Sequence, residues 1–231
     1  MAVYACSDLH GRLDLYKQIK AFLNPEDTVY FLGDAGDRGP DSWELIKTIY
    51  SDDQFVYLMG NHEEMLVEAM RDWLDYFHCG LAWQDLINNG GAQTFEDWRN
   101  IPNESNQRIW MRNLKQLLKV KTYVNKDNIK VILCHAGFTP GTTAEVNLLW
   151  DREHYNDEWD EEHCSDIVIV HGHTPIPLMG VDGLGEEIEP GAFWYCNNHK
   201  VNIDNGSTWT DFTCLLDLDT FDEHIFYCEV E

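Results

Sequence analysis

Residues 32–40 read Leu32-Gly33-Asp34-Ala35-Gly36-Asp37-Arg38-Gly39-Pro40, a glycine-rich turn that carries two carboxylates and one arginine. The apolar run Thr28–Leu32 comes just before the turn, and a helix-like stretch starting at Asp41 or Ser42 comes just after it. Two acids and a cation crowded onto one turn are costly to build for structure alone, because clustered charges lose solvation. These charges would be explained if a dication and an anionic substrate bind together at this turn.

The flanking chain alternates between strand and helix patterns. Short apolar runs at Val3–Cys6, Thr28–Leu32 and Phe55–Met59 predict strands, and helical spacing from Leu13 to Leu23 and after Ser42 predicts helices between them. This alternation is typical of a parallel sheet covered by helices. Because connections between parallel strands are right-handed, the polar turns after the strands are expected to converge on one sheet edge.

The remaining chain predicts a helical insertion and then more strands. Residues 63–120 carry helical periodicity broken by glycine and proline, which predicts a helical insertion or cap within a single domain spanning residues 1–231. Strands are predicted at Ile129–Cys134 and Asp166–Val170. Short β segments follow, at Val201–Asp204, Phe212–Asp217 and His224–Val230.

Composition bounds the class of protein. The chain has 231 residues, is 44% hydrophobic and carries a formal net charge of −25, so it has enough apolar material for a core but is poorly suited to bind nucleic acid or anionic membranes. The seven cysteines are odd in number and contain no C-x-x-C pair, which favours free thiols in a reducing cytosol. No secretory signal or membrane-spanning run is found in the sequence, so we expect a cytoplasmic protein without membrane or nucleic-acid partners. The sequence predicts no oligomeric state.

Five of the predicted apolar strands each end in a turn that carries metal-type ligands. These side chains are Asp8 and His10, Asp34 with Asp37, Asn61 and His62, His135, and His173. Mixed nitrogen and oxygen ligands suit Mn²⁺, Fe or Zn²⁺ rather than Ca²⁺ or a structural zinc site. Six or more ligands are too many for one tetrahedral ion and suit two metals that share a carboxylate, the arrangement that activates water for attack on phosphorus.

Five motifs carry a resemblance to a known family. They are Asp8-x-His10-Gly11, Gly33-Asp34-x-x-Asp37-Arg38-Gly39, Gly60-Asn61-His62-Glu63, His135-Ala136-Gly137 and Gly172-His173-Thr174-Pro175. In this order they resemble the calcineurin-like metallophosphoesterases, and most closely the small bacterial and phage serine/threonine protein phosphatases of the lambda type. The resemblance implies an α/β fold, a four-layer α/β/β/α sandwich with the helical insertion around residues 63–120.

The resemblance also implies a role for each matching residue. Two divalent cations, with Mn²⁺ preferred and Fe or Zn²⁺ as alternatives, would be held by Asp8, His10, Asp34, Asn61, His135 and His173, with Asp34 as the bridge. A hydroxide held between the metals would attack phosphorus directly, so no phosphoenzyme forms. His62 would protonate the leaving group while Asp37 orients it, and Arg38 and Arg152 would clamp the phosphate.

The implied activity is a metal-dependent phosphoprotein (Ser/Thr) phosphatase that hydrolyses phosphoproteins or small phosphomonoesters. Two alternatives stay open: a symmetrical diadenosine-tetraphosphate hydrolase, and a non-catalytic phosphoprotein-binding module. The sequence departs from the protein phosphatases at Gly36, where a larger apolar residue is usual, and at His171, which is interpreted as a strand-end residue in preference to a donor behind the metal ligands. Ser7 stands where glycine is common.

Overall fold

The computed structural model describes residues 1–76, 80–141, 147–178 and 189–228. The strands are β1 Val3–Cys6, β2 Thr28–Phe31, β3 Phe55–Tyr57, β4 Val120–Val124, β5 Lys130–Cys134, β6 Ile167–His171, β7 Phe193–Tyr195, β8 Lys200–Asn202, β9 Phe212–Asp217 and β10 Glu223–Tyr227. The helices are α1 Leu13–Phe22, α2 Ser42–Ser51, α3 Asn61–Tyr76, α4 Leu81–Asn88, α5 Ala92–Arg99, α6 Glu104–Lys115, α7 Glu161–Cys164 and α8 Ser207–Thr210. Short 3₁₀ turns occur at His154–Asn156 and Ile176–Leu178.

The strands form two five-stranded sheets. The first has the order β10-β9-β1-β2-β3, in which β1, β2 and β3 are parallel and β9 runs antiparallel to β1. The second has the order β4-β5-β6-β8-β7, in which β5, β6 and β8 are parallel and the two edge strands are antiparallel. The α/β class is confirmed, because helices and two packed sheets make up the described chain.

The expectation of one sheet edge is wrong, because the ligand-bearing turns come from both sheets. β1 shows why: Tyr4 and Cys6 pack into the helix-covered core, whereas Val3 and Ala5 pack into a second core with Val131 of β5. Successive side chains of a strand point to opposite faces, so β1 is buried on both. A strand that is apolar on both faces does not reveal whether a helix or another sheet covers it.

The helices of the first half cover the outer face of the first sheet. Leu66 and Met70 of α3 and Trp98 of α5 belong to the same apolar cluster as Phe31 of β2. The predicted insertion over 63–120 is helical as expected, but α3 already begins at Asn61 and the helices end at Lys115. In the described part of the second half, helices have only three or four residues, so no second helical layer of comparable size is found there.

Two edge strands of the second sheet were not predicted. β4 alternates between exposed and half-buried residues and carries no apolar run, and β7 is only three residues long. Among the described residues, no helix is long and apolar enough to cross a bilayer. The cysteines of the described ranges are all free thiols; Cys79 and His78 lie outside those ranges, as does the end of the predicted segment His224–Val230.

Candidate active site

The five predicted turns converge where the two sheets meet. Backbone hydrogen bonds join the turn after β1 to the turn after β2, with Asp8 N donating to Gly33 O over 3.1 Å and His10 N donating to Asp34 O over 3.0 Å. Gly172 N, after β6, donates to His135 O, after β5, over 2.8 Å. Several of these residues adopt positive φ, which costs free energy for a non-glycine residue and is typical of functional sites: Asp8, His10, Asp34, Asp37, Arg38 and His173.

One half of the site is built around the amide of Asn61, at the start of α3. Its Oδ1 lies 2.8 Å from His135 Nε2 and 3.0 Å from His173 Nδ1. An Asp34 oxygen lies 3.4 Å from the same nitrogen of His135. All four residues are buried, and ligand atoms of Asp34, His135 and His173 lie within 4.8 Å of one another.

The other half is built around His10. Its Nδ1 donates to Gly36 O over 2.8 Å, which leaves Nε2 as the acceptor facing Asp34, 3.6 Å away, and Asp8, 4.0 Å away. Ligand atoms of His10, Asp34 and His62 also lie within 4.8 Å of one another. Asp34 therefore belongs to both groups, which is the position that a bridging carboxylate would take.

The donor set fits two divalent cations. Carboxylate, imidazole and amide oxygen ligands converge in a buried site, and the charges there favour a cation. The burial of His135 opposes its protonation, yet the carboxylate of Asp34 outweighs it and raises the pKa of His135 to about 10. Burial and the neighbouring His135 lower the pKa of His173 to about 2, so this imidazole is neutral. Its Nε2 has no hydrogen-bond partner among the residues that the structure describes.

His62 and Asp37 form a buried pair beside these groups. His62 Nδ1 lies 2.6 Å from Asp37 Oδ2, and both side chains are 2% exposed. Burial opposes a charge on His62, but the carboxylates of Asp34 and Asp37 outweigh it, so the pKa of His62 is raised. The prediction that Asp37 orients His62 thus has the contact it requires, and its role in catalysis stays a prediction.

The two arginines lie on opposite halves of the site. The guanidinium of Arg38 donates to His10 Nε2 over 2.8 Å and to His62 Nε2 over 2.9 Å. Because a guanidinium has no acceptor, both imidazoles present a lone pair on Nε2. Arg152 is exposed and donates weakly to Thr174 Oγ1 and His173 O, over 3.3 and 3.4 Å.

Glu63 has a structural role that the sequence did not indicate. This carboxylate is 1% exposed and accepts hydrogen bonds from Asp34 N over 2.8 Å, Ala35 N over 2.9 Å, Gly60 N over 2.9 Å and Tyr57 OH over 2.7 Å. It therefore fixes the backbone of the bridging aspartate. The sequence feature that could have indicated this role is an acid in the first turn of α3, directly after Asn61-His62, where a helix N-terminus favours negative charge.

The departures at Ser7 and Gly36 have local explanations. Ser7 Oγ makes a short hydrogen bond to Asp8 Oδ2 that glycine could not make. A Cβ built on Gly36 would lie 2.7 Å from Ile46 Cδ1, so Ile46 of α2 fills the space that a larger side chain would need. The contact between Asp37 and His62 is kept.

His171 and His154 lie behind the ligands rather than among them. His171 is fully buried in β6, and its Nε2 lies 2.6 Å from Tyr195 OH. Tyr195 OH is 3.3 Å from His154 Nδ1, and His154 Nε2 donates to Ala136 O over 2.8 Å. His154 is therefore tied to the turn that follows β5 and not to Arg152.

Comparison with known proteins finds relatives in sequence and a similar fold among solved structures. The asymmetrical bis(5′-nucleosyl)-tetraphosphatase PrpE of Anoxybacillus flavithermus is 27% identical over 76% of this chain and 69% of its own. A symmetrical bis(5′-nucleosyl)-tetraphosphatase of Buchnera aphidicola is 28% identical over 61% of this chain, which spans only 46% of that relative. The crystal structure of a candidate diadenosine tetraphosphatase superposes with a TM-score of 0.64 at 15% identity, covering 99% of this chain and 94% of its own.

The two sequence relatives are named as bis(5′-nucleosyl)-tetraphosphatases and not as lambda-type protein phosphatases, so the expected likeness to the lambda type is not confirmed. The sequence model of the calcineurin-like phosphoesterases matches residues 1–203, which include every predicted ligand. The chain belongs to the calcineurin-like phosphoesterase family.

Proposed function

We propose that the protein hydrolyses dinucleoside polyphosphates, with bis(5′-nucleosyl) tetraphosphates as the substrate class. The observation that carries the chemistry is that Asp34 is shared between two groups of ligands, so that a phosphate could meet both metals. The substrate class is supported by the activities named for the two relatives, both tetraphosphatases. This replaces the phosphoprotein phosphatase as our leading interpretation and takes up the alternative that the sequence left open.

Two divalent cations would be held by Asp8, His10, Asp34, Asn61, His135 and His173, and when bound they neutralise phosphoryl charge and make water a stronger nucleophile. Mn²⁺ is our preferred metal, with Fe and Zn²⁺ as alternatives.

The chain's own side chains would then position the substrate. Arg38 would exchange its bonds to His10 and His62 for phosphate oxygens, which suit its planar fork. Once Arg38 has left, Nε2 of His62 would be free to take up a second proton, which its raised pKa favours, and to pass that proton to the leaving oxygen, while the 2.6 Å contact with Asp37 keeps the ring in place. Arg152, exposed at the opposite half, would reach a second phosphate group.

A substrate panel tests this proposal. The Mn²⁺-loaded protein is given diadenosine tetraphosphate, a serine/threonine phosphopeptide and an aryl phosphate, and the products are separated by ion-exchange chromatography. We expect the dinucleotide to have the highest kcat/KM. Two molecules of ADP would indicate symmetrical cleavage, and ATP with AMP would indicate asymmetrical cleavage. Asp34→Asn serves as the inactive control.

Each other result selects a different interpretation. Turnover of the phosphopeptide alone would overturn the proposal in favour of the phosphoprotein phosphatase. Retained metal and no turnover of any substrate would favour the non-catalytic phosphoprotein-binding module.

A further inference from the structure

Two tryptophans lie exposed beside the site, one next to each half. The ring of Trp150 is centred 6.3 Å from the ring of His173, and the ring of Trp209 lies 6.0 Å from the guanidinium carbon of Arg38, which itself bonds His10. Their exposed fractions are 40% and 57%, although an indole is among the side chains that gain most from burial. We propose that these two indoles are the platforms on which the two nucleobases of the substrate stack.

Trp209 is held in a fixed relation to the site. It lies on the short helix α8, whose first residue, Ser207, donates through Oγ to Asp8 O over 2.8 Å. Gly206 precedes this helix with a φ of +69°, and Trp209 N donates back to Gly206 O over 2.8 Å. A base that stacked on Trp209 would therefore lie close to a phosphate held by Arg38, as the short link through a ribose requires.

Trp150 is oriented by a hydrogen bond and borders a cavity. Its Nε1 donates to Glu64 Oε2 over 2.9 Å, and the other oxygen of Glu64 accepts from Lys119 over 2.8 Å. The adjoining cavity has a volume of about 420 Å³ and is lined by Glu64, Met65, Glu68, Ala82, Asp85 and Trp150. Its carboxylates can accept hydrogen bonds from the amino group of adenine, whereas the anionic phosphates would be kept towards the metal ligands.

Base stacking can add affinity for the substrate that the net charge of this protein does not provide. The net charge of −25 disfavours a polyanion, so affinity that does not depend on phosphate is valuable. Stacking of a base on an aromatic side chain supplies such affinity, whichever base is bound. This inference rests on the proposed function, because only a substrate with two bases would use both indoles at once.

The test compares two non-hydrolysable ligands that differ only in adenosine. Adenosine 5′-(α,β-methylene)diphosphate and methylenediphosphonate are titrated calorimetrically into the Mn²⁺-loaded full chain. We expect the double variant Trp150→Ala/Trp209→Ala to lose about fivefold or more in affinity for the nucleotide and to keep its affinity for methylenediphosphonate. Each single variant should raise the KM for diadenosine tetraphosphate by about fivefold or more, and Trp→Phe should restore much of it. Tyr227→Ala removes an exposed ring from β10 and should change neither value.

The outcomes separate this inference from the proposed function. Cleavage of the dinucleotide by the wild type, together with unchanged nucleotide affinity in the double variant, overturns the base platforms and leaves the proposed function standing. Failure of the wild type to cleave the dinucleotide, with nucleotide affinity still lost in the double variant, overturns the proposed function and leaves the platforms standing. Loss of methylenediphosphonate affinity would show that the indoles only support Arg38 and His173, and it would also overturn the inference.

Discussion

Glu63 gives the sharpest test of how this site is held together. Its carboxylate accepts four hydrogen bonds, three of them from backbone N–H groups of the turns that carry and face Asp34. In Glu63→Gln one oxygen becomes an NH₂ donor. The best orientation of the amide turns that donor towards Tyr57, whose hydroxyl can accept, and this leaves Ala35 N–H buried without its partner.

The expected cost follows from those bonds. A buried donor left unpaired costs about 1–3 kcal/mol, and the bonds that remain lose the strengthening that a charged acceptor gives. The loss of repulsion between Glu63 and Asp34 offsets part of this, since burial and then that neighbour raise the pKa of Glu63. We therefore expect a net loss of about 2 kcal/mol in the free energy of unfolding, or roughly 4–8 °C in Tm for a domain of this size. Metal affinity should also fall, because one negative charge near the site is removed.

The assay is urea unfolding and calorimetric melting of the metal-free protein, followed by titration with Mn²⁺. Glu44→Gln on α2 is the control, because its exposed pair with Lys47 is worth about 0.5 kcal/mol or less. If Glu63→Gln unfolds like the control and binds Mn²⁺ like the wild type, the carboxylate does not organise the turn and the reasoning is refuted.

Three further predictions concern the residues around this carboxylate. Asp34→Asn should lose both metals and activity together, which elemental analysis of the purified protein checks; full metal occupancy would contradict the bridge. His62→Asn should keep its metals and lose far more turnover on an alkyl phosphate than on p-nitrophenyl phosphate, whose leaving group needs little protonation; equal losses on both would contradict the role of proton donor. Gly36→Leu should destabilise by about 1–3 kcal/mol through its clash with Ile46, and Ile46→Ala should recover part of that loss in a double-mutant cycle.

The sequence predicted which side chains meet but not how the sheets bring them together. Polar turns after apolar runs identified Asp8, Asp34, His135 and His173, because a strand end is the place where a buried sheet edge can present ligands. The same runs could not show that β1 and β5 belong to different sheets. Val3 and Val131 are apolar whichever layer covers them, and only the tertiary structure makes them partners in one core.

The sequence could not predict the contacts between residues that lie far apart along the chain. The room beside Gly36 is set by Ile46 of α2, which fills the space that a larger side chain would need. Arg38 was expected at the phosphate, and its bonds to His10 and His62 arise from three turns that meet only after folding. β4 was missed because its edge position leaves its side chains exposed or half-buried, so it carries no apolar run.

The hydrogen bonds around the site imply that the protein, and not the metal alone, holds its carboxylates in place. Asp8 Oδ2 accepts from Ser7 Oγ and from His173 N, which lies 3.1 Å away and joins the two sheets. Asp34 Oδ1 accepts from His62 N over 3.0 Å, a donor in the first turn of α3 that has no partner within the helix. Each carboxylate thus keeps one oxygen on a fixed donor, while its other oxygen, Oδ1 of Asp8 and Oδ2 of Asp34, faces the imidazole of His10. The strand ends and the start of α3 already define the geometry of the site, and metal binding would then add charge neutralisation. A site whose ligands are fixed before the metal binds is preorganised for catalysis.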